Sequence, residues 1–275
     1  MEIRCTQDSS VIPFADVQLA SLVFLDLSIN GKSFPFLFDT GASITVMSLE
    51  VAEKIELRFL DQTVKGRGNA GNLIDTNMGA VDTLQFGAIT ISDLEVAMLP
   101  VENLTFTIDD QGNKIKINGF LGWDVIKNFR WHINNSNKTI KVEKSVPQEC
   151  IPNLTHDVMP TIRVEYHAEQ LHFGFDSGNT ESVLGIKMFE RIRPKEQKND
   201  SWTGVDGTTE RTVYNVEEFR CHILDSEICV EHIPMIQQDV YQAESVESMG
   251  LLASDIVANR DWSIDFPNQH FEIFD

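Results

Sequence analysis

Short apolar or alternating runs, cut by glycine, asparagine and acidic residues, dominate the chain, a pattern that predicts strands and few long helices. Leu19 to Ile29 is apolar and β-branched and ends at Asn30-Gly31, the favoured pair for a tight hairpin turn. Phe34 to Phe38 reads as the return strand and runs directly into Asp39-Thr40-Gly41-Ala42-Ser43. Ser48 is placed to cap a short helix over Leu49 to Leu57. Further strands are expected at Val81 to Phe86, Ile89 to Leu99 and Ile115 to Phe120. Leu121-Gly122-Trp123-Asp124 then opens one or two helical turns ending near Asn128, and Trp131 to Ile133 with Ile140 to Val142 forms a hairpin.

The second half repeats this order. Thr161 to Tyr166 and Leu171 to Phe175 pair as strands and deliver Asp176-Ser177-Gly178-Asn179, followed by a predicted helix over Ile186 to Ile192 that Pro194 stops. Phe38-Asp39 falls on Phe175-Asp176 at a shift of 137. Gly119 to Asp124 falls on Gly250 to Asp255 at a shift of 131, which also carries Trp131 onto Trp262 and Ile133 onto Ile264. Landmarks recurring in the same order mark an internal repeat, and both copies are strand-rich, so the fold class is all-β. The division falls at 1–146 and 147–275, with Lys144 to Asn153 as the connection. Both tryptophans alternate with apolar residues and read as core.

Charge narrows the partners. The net charge is −20, divided as −6 up to residue 149 and −14 beyond it. Such a surface repels nucleic acid phosphates and anionic membranes, so neither is an expected partner. No apolar run is long enough to span a bilayer, and no secretory leader is visible at the N-terminus. Four scattered cysteines make no disulfide framework, although Cys221 and Cys229 could face each other across a hairpin. A reducing, cytoplasmic setting is the expectation. Neither HExxH nor CxxC occurs, so no metal or other cofactor is expected.

One Asp-Thr/Ser-Gly tripeptide carries little information. Two copies, each closing an apolar strand and each answered downstream by an apolar-apolar-small-x-Asp turn, carry a great deal. Over essentially the whole chain these residues resemble aspartic peptidases of the pepsin and retropepsin type. Phe38 to Ser43 is close to the retropepsin active-site turn, and the chain looks like two retropepsin subunits fused into one. The resemblance implies two lobes about a pseudo-twofold axis, each a small closed barrel. It also implies a catalytic pair, Asp39 and Asp176, that shares one proton and activates water against a peptide bond. Thr40, Gly41, Ala42, Ser177, Gly178 and Asn179 would form the active-site turns, with the Thr40 and Ser177 hydroxyls bonding across the axis. The N-terminal segment, the central connection and the strand near Phe271 to Phe274 would join in a sheet bridging the lobes. Fusion makes a monomer the expectation, with an extended polypeptide as substrate.

The second copy departs from the pattern at Asn179, where pepsins carry a hydroxyl residue, and at Ala253, which stands where the first copy has Gly122. These departures support an alternative, a catalytically inactive peptide-binding module on the same fold. Gly66-x-Gly68-x-x-Gly71 fits a dinucleotide fingerprint, but no helix is predicted to follow it. The resemblance makes this stretch a flap that closes over substrate, and makes Trp202 to Gly207, with Gly204, the second flap. A plain glycine-rich turn and two ordinary Asp-containing turns on a generic β scaffold are the blander readings.

Overall fold

A computed structural model describes every residue except 109, 110, 156, 157, 195, 241, 242, 244 and 275. Two closed six-stranded barrels carry the architecture. In the first, Phe24–Ile29, Lys32–Phe38, Gly119–Leu121, Val46–Ser48, Ile89–Leu99 and Leu73–Phe86 follow one another around the ring, and the last two pair to close it. In the second, Thr161–Tyr166, Glu169–Asp176, Ser248–Ala253, Val183–Leu184, Ser226–Ile236 and Gly207–Ile223 take the same places, closed by Glu165 opposite His222. Closure leaves few exposed sheet edges, and alternation along each strand turns one set of side chains into the barrel.

Local chemistry explains most of the elements. Asn30 and Gly31 both adopt left-handed backbone (φ 46° and 80°), the turn that matches strand twist in a two-residue hairpin. In the second barrel His167 and Ala168 take the same conformations (φ 49° and 64°) without the favoured residues. Ser48 accepts from the Val51 N–H at 3.1 Å and starts the helix Leu49–Lys54, which buries Val51 and Ala52. Three expectations need correction. Residues 19–23 are not strand: Ala20 turns at φ 48°, and Leu19 and Leu22 cover an apolar cluster that includes Ala42 and Ile44. The helix expected over Ile186 to Ile192 is a single 3-10 turn, Ile186–Met188, because Met188 is the one residue of that turn that is buried. Ile115 to Phe120 splits into Lys114–Lys116 and Gly119–Leu121.

A five-stranded sheet joins the barrels, ordered Ser9–Pro13, Thr139–Glu143, Arg130–Asn134, Asp261–Asp265, His270–Phe274. N- and C-terminal strands lie at its edges, but the central connection is not part of it. Residues 144–153 lack regular structure, and the two Trp-bearing hairpins fill the middle instead. The central pairing puts Trp131 opposite Ile264 and Ile133 opposite Trp262, so the repeat shift becomes a twofold relation in space. Both tryptophans are fully buried, as the sequence pattern anticipates. Phe38 packs edge-on to Trp131 (5.1 Å) and Trp262 (6.1 Å), and Phe175 packs on Trp262 (5.4 Å). Each phenylalanine directly precedes an Asp-Thr/Ser-Gly turn, so the bridging sheet fixes both turns from below.

All four cysteines are free. Cys221 sits opposite Ile228 and Cys229 opposite Arg220, a one-residue offset that points the thiols to opposite faces of the hairpin. Cys221 is buried and its thiol is pushed up to about 12 by loss of water, whereas Cys229 is exposed. No helix is long and apolar enough to cross a membrane among the described residues.

Candidate active site

The two Asp-Thr/Ser-Gly turns meet between the barrels. The Thr40 N–H donates to the Ser177 hydroxyl (3.1 Å), and the Ser177 N–H donates to the Thr40 hydroxyl (2.9 Å). Each hydroxyl then donates across the axis, Thr40 to the Phe175 carbonyl and Ser177 to the Phe38 carbonyl, both at 2.8 Å. All four groups are buried, so breaking one bond strands its partner away from water.

The carboxyl groups of Asp39 and Asp176 face one another above this brace. A Cβ on Gly41 would lie 2.5 Å from both Asp176 carboxyl oxygens, and one on Gly178 would lie 2.5 and 2.6 Å from those of Asp39. Only glycine admits that approach. Oδ1 of Asp39 accepts from the Gly41 and Ala42 N–H groups (2.9 and 3.0 Å), and Oδ1 of Asp176 accepts from Gly178 (2.9 Å). Burial raises the Asp39 carboxyl well above the usual carboxylate range, and the charge of Asp176 beside it raises it further. Asp176 is raised by burial too, but the Gly178 N–H and a hydrogen bond with Asp39 oppose the rise. Burial thus pushes both carboxyls toward the protonated form, the condition under which a close pair retains a proton between them.

A second support was not read from the sequence. Thr45 Oγ1 donates to Asp124 (2.8 Å) and accepts from the Gly122 N–H (3.1 Å). Ser182 Oγ donates to Asp255 (2.5 Å) and accepts from the Ala253 N–H (2.9 Å). Applied to hydroxyl residues, the 137 and 131 shifts relate these two braces and were signal enough to find them. The departures in the second copy sit within this frame. Leu252 pairs with Phe175 as Leu121 pairs with Phe38, so the methyl of Ala253 leaves the register unchanged. The Asn179 carbonyl accepts from Ser254 N–H (3.0 Å) as the Ala42 carbonyl accepts from Trp123 N–H (2.7 Å). Asn179 turns its side-chain oxygen to the Thr180 N–H (2.8 Å), not toward Asp176.

Residues 25–125 match the family model described as aspartyl protease. The first barrel is similar to a retropepsin-like aspartyl protease unit. The match ends at Val125, and the second barrel is related to the first by the equivalences above. No curated protein matches the chain.

Both glycine-rich stretches lie at the ends of hairpins. Arg58–Arg67 and Leu73–Phe86 form the first, and Glu196–Gly204 with Gly207–Ile223 the second. Gly66 lies within a strand with open space around it, whereas Gly68 and Gly71 shape the turn, the latter at φ 87°. Gly204 backs onto Asn69 of the other hairpin. No helix follows Gly71; a strand does, so the dinucleotide geometry is not present. Trp202 packs in a small cluster with Val183, Val213 and Ile236, with the Arg211 guanidinium 4.8 Å over its ring. Among the described residues no group of three or more His, Cys, Asp or Glu side chains is placed to hold a metal ion.

Proposed function

We propose that the protein is an aspartic endopeptidase that hydrolyses peptide bonds between Asp39 and Asp176. The observation that carries this reading is the close carboxyl pair, set symmetrically on a crossed hydroxyl brace, with both carboxyls raised by burial. Asp176, the more readily ionised member, takes a proton from a water held between the carboxyls as that water's oxygen attacks the peptide carbonyl carbon. Asp39 gives its proton to the carbonyl oxygen, forming a neutral gem-diol. Collapse of that intermediate breaks the C–N bond, and the nitrogen leaves as an amine after taking the proton Asp176 received. Asp39 recovers a proton from the gem-diol, which restores the pair.

Both aspartates come from one chain, which supports a monomer; a sedimentation mass near twice 31.1 kDa would remove that part of the proposal. The activity is tested by incubating the purified protein with an unfolded polypeptide across the pH range and sequencing the products. Internal cleavage that Asp39→Asn abolishes supports the proposal. Binding of the polypeptide without cleavage at any pH establishes the inactive module in its place.

A further inference from the structure

The internal repeat gives each residue around the carboxyl pair a counterpart in the other lobe, and at one position the two differ in kind. The shift of 137 that carries Asp39 onto Asp176 and Thr45 onto Ser182 carries Ile44 onto Glu181. Each directly precedes the hydroxyl that braces its own turn, so the two residues stand at matching places on opposite sides of the pair. Both turns fold back on their aspartates, through the Ala42 N–H to Asp39 Oδ1 (3.0 Å) and the Asn179 N–H to the Asp176 carbonyl (3.3 Å). Positions 44 and 181 therefore stay close to the carboxyls. Half-buried Ile44 lies on an apolar cluster against which Leu60, Val64 and Ile74 of the first hairpin also pack. Its counterpart is exposed and meets charge instead. Glu181 lies near Asp255 and near Lys198 and Asp200 of the second hairpin, which pair with one another at 2.9 Å. Glu181 itself makes no hydrogen bond or ion pair among the described residues.

Partial loss of water and the charges of Asp200 and Asp255 raise the Glu181 carboxyl, and Lys198, already engaged by Asp200, opposes them only in part. A cationic side chain brought in beside Glu181 relieves that repulsion, and an apolar one does not. Beside Ile44 the reverse holds, since an apolar side chain gains by burial there and a charged one loses water without a counter-charge. We propose that Glu181 selects the substrate, a polypeptide with an apolar side chain on the Ile44 side of the scissile bond and a lysine or arginine on the Glu181 side. The cut itself rests on the peptidase reading, whereas selection by charge can be read from binding alone.

The test takes the full chain carrying Asp39→Asn and measures, by fluorescence anisotropy at low salt, its binding to two labelled unstructured peptides. One is rich in leucine and lysine; the other is the same peptide with every lysine replaced by glutamine. The lysine peptide should bind about fivefold more tightly, and added salt should narrow the difference. Glu181→Gln should bring the two affinities together. Asp225→Asn, which removes the same charge from the turn joining Ile223 to Ser226, should leave the difference in place. Equal affinities, no binding of either peptide, or a difference that survives Glu181→Gln or disappears in Asp225→Asn overturns the selection. With Asp39 intact, sequencing the products of an unfolded polypeptide should show lysine or arginine enriched severalfold on one side of the cut bonds and apolar residues on the other. Glu181→Gln should erase the first enrichment. Cleavage without it overturns the selection and leaves the peptidase reading standing; charge-selective binding with no cleavage overturns the peptidase reading and leaves the role of Glu181 standing.

Discussion

Thr40 and Ser177 exchange backbone-to-hydroxyl hydrogen bonds across the axis between the lobes, at 3.1 and 2.9 Å. They are 137 positions apart, and that single buried exchange converts a repeat in the sequence into one site. The hydroxyls, rather than the carboxyls, hold the two turns in register.

Thr40→Val keeps the shape and removes the hydroxyl. It orphans the Ser177 N–H and the Phe175 carbonyl in a buried place, so a loss of about 3 kcal/mol is expected. Thr40→Ser should retain most of the stability. Urea unfolding of both variants checks this, and equal stabilities would mean that the brace contributes little.

Asp39→Asn should stabilise the fold near neutrality while removing activity. The Asp39 carboxyl is raised in the folded state above its ordinary value of 3.8. Stability from such a group is fully present below 3.8 and is lost as pH rises through the raised folded value. An amide avoids that loss, so the melting temperature of the variant should exceed that of the parent at neutral pH and converge with it below 3.8. A variant that melts lower at neutral pH would contradict the assigned burial of this carboxyl.

Gly122 and Ala253 occupy matching places with unequal tolerance. A Cβ on Gly122 would meet the Ile44 carbonyl carbon and oxygen and the Thr45 nitrogen at 2.5–2.7 Å, all backbone atoms that cannot step aside. Gly122→Ala should therefore displace the Asp39 turn and lower both melting temperature and turnover. Ala253→Gly should cost far less, because the second copy already packs around its methyl. Thermal melts with activity assays on the pair decide the matter.

The pH dependence of turnover follows from the donors to the carboxylates. Ala42 offers only its N–H to Asp39, and the Asn179 side chain is engaged with Thr180. With few donors to the anion, the pair should keep its shared proton into the mildly acidic to near-neutral range. Ala42→Ser supplies a hydroxyl beside Asp39 and should move the alkaline-side loss of activity to lower pH. A pH–rate profile peaking in strong acid, or one that Ala42→Ser leaves unmoved, would contradict this.

Much of the molecule is legible in its sequence because the repeat supplies a second reading of every landmark. The Asn30-Gly31 turn, the Ser48 cap, the strand at Ile89–Leu99 and the buried Trp131 and Trp262 all follow from local chemistry and alternation. Residues 19–23 mislead because an apolar run can equally cover a barrel as loop, and Ser21 alone is a weak mark of the turn that precedes the strand. Around Ile186–Met188 propensity favours helix, but too little of the segment is buried to sustain more than one turn. The hydrogen bonds from the Ala70 and Asn72 N–H groups to Asp206 leave no sequence signal, since backbone donors of a distant hairpin do not depend on side-chain type.

The central claim is that Asp39 and Asp176 act as one unit, and kcat/KM for Asp39→Asn, Asp176→Asn and the double variant tests it most directly. The shared-proton account predicts that either single change removes nearly all turnover and that the second change adds almost no further loss. Substantial turnover in either single variant, or losses that multiply in the double, would contradict it.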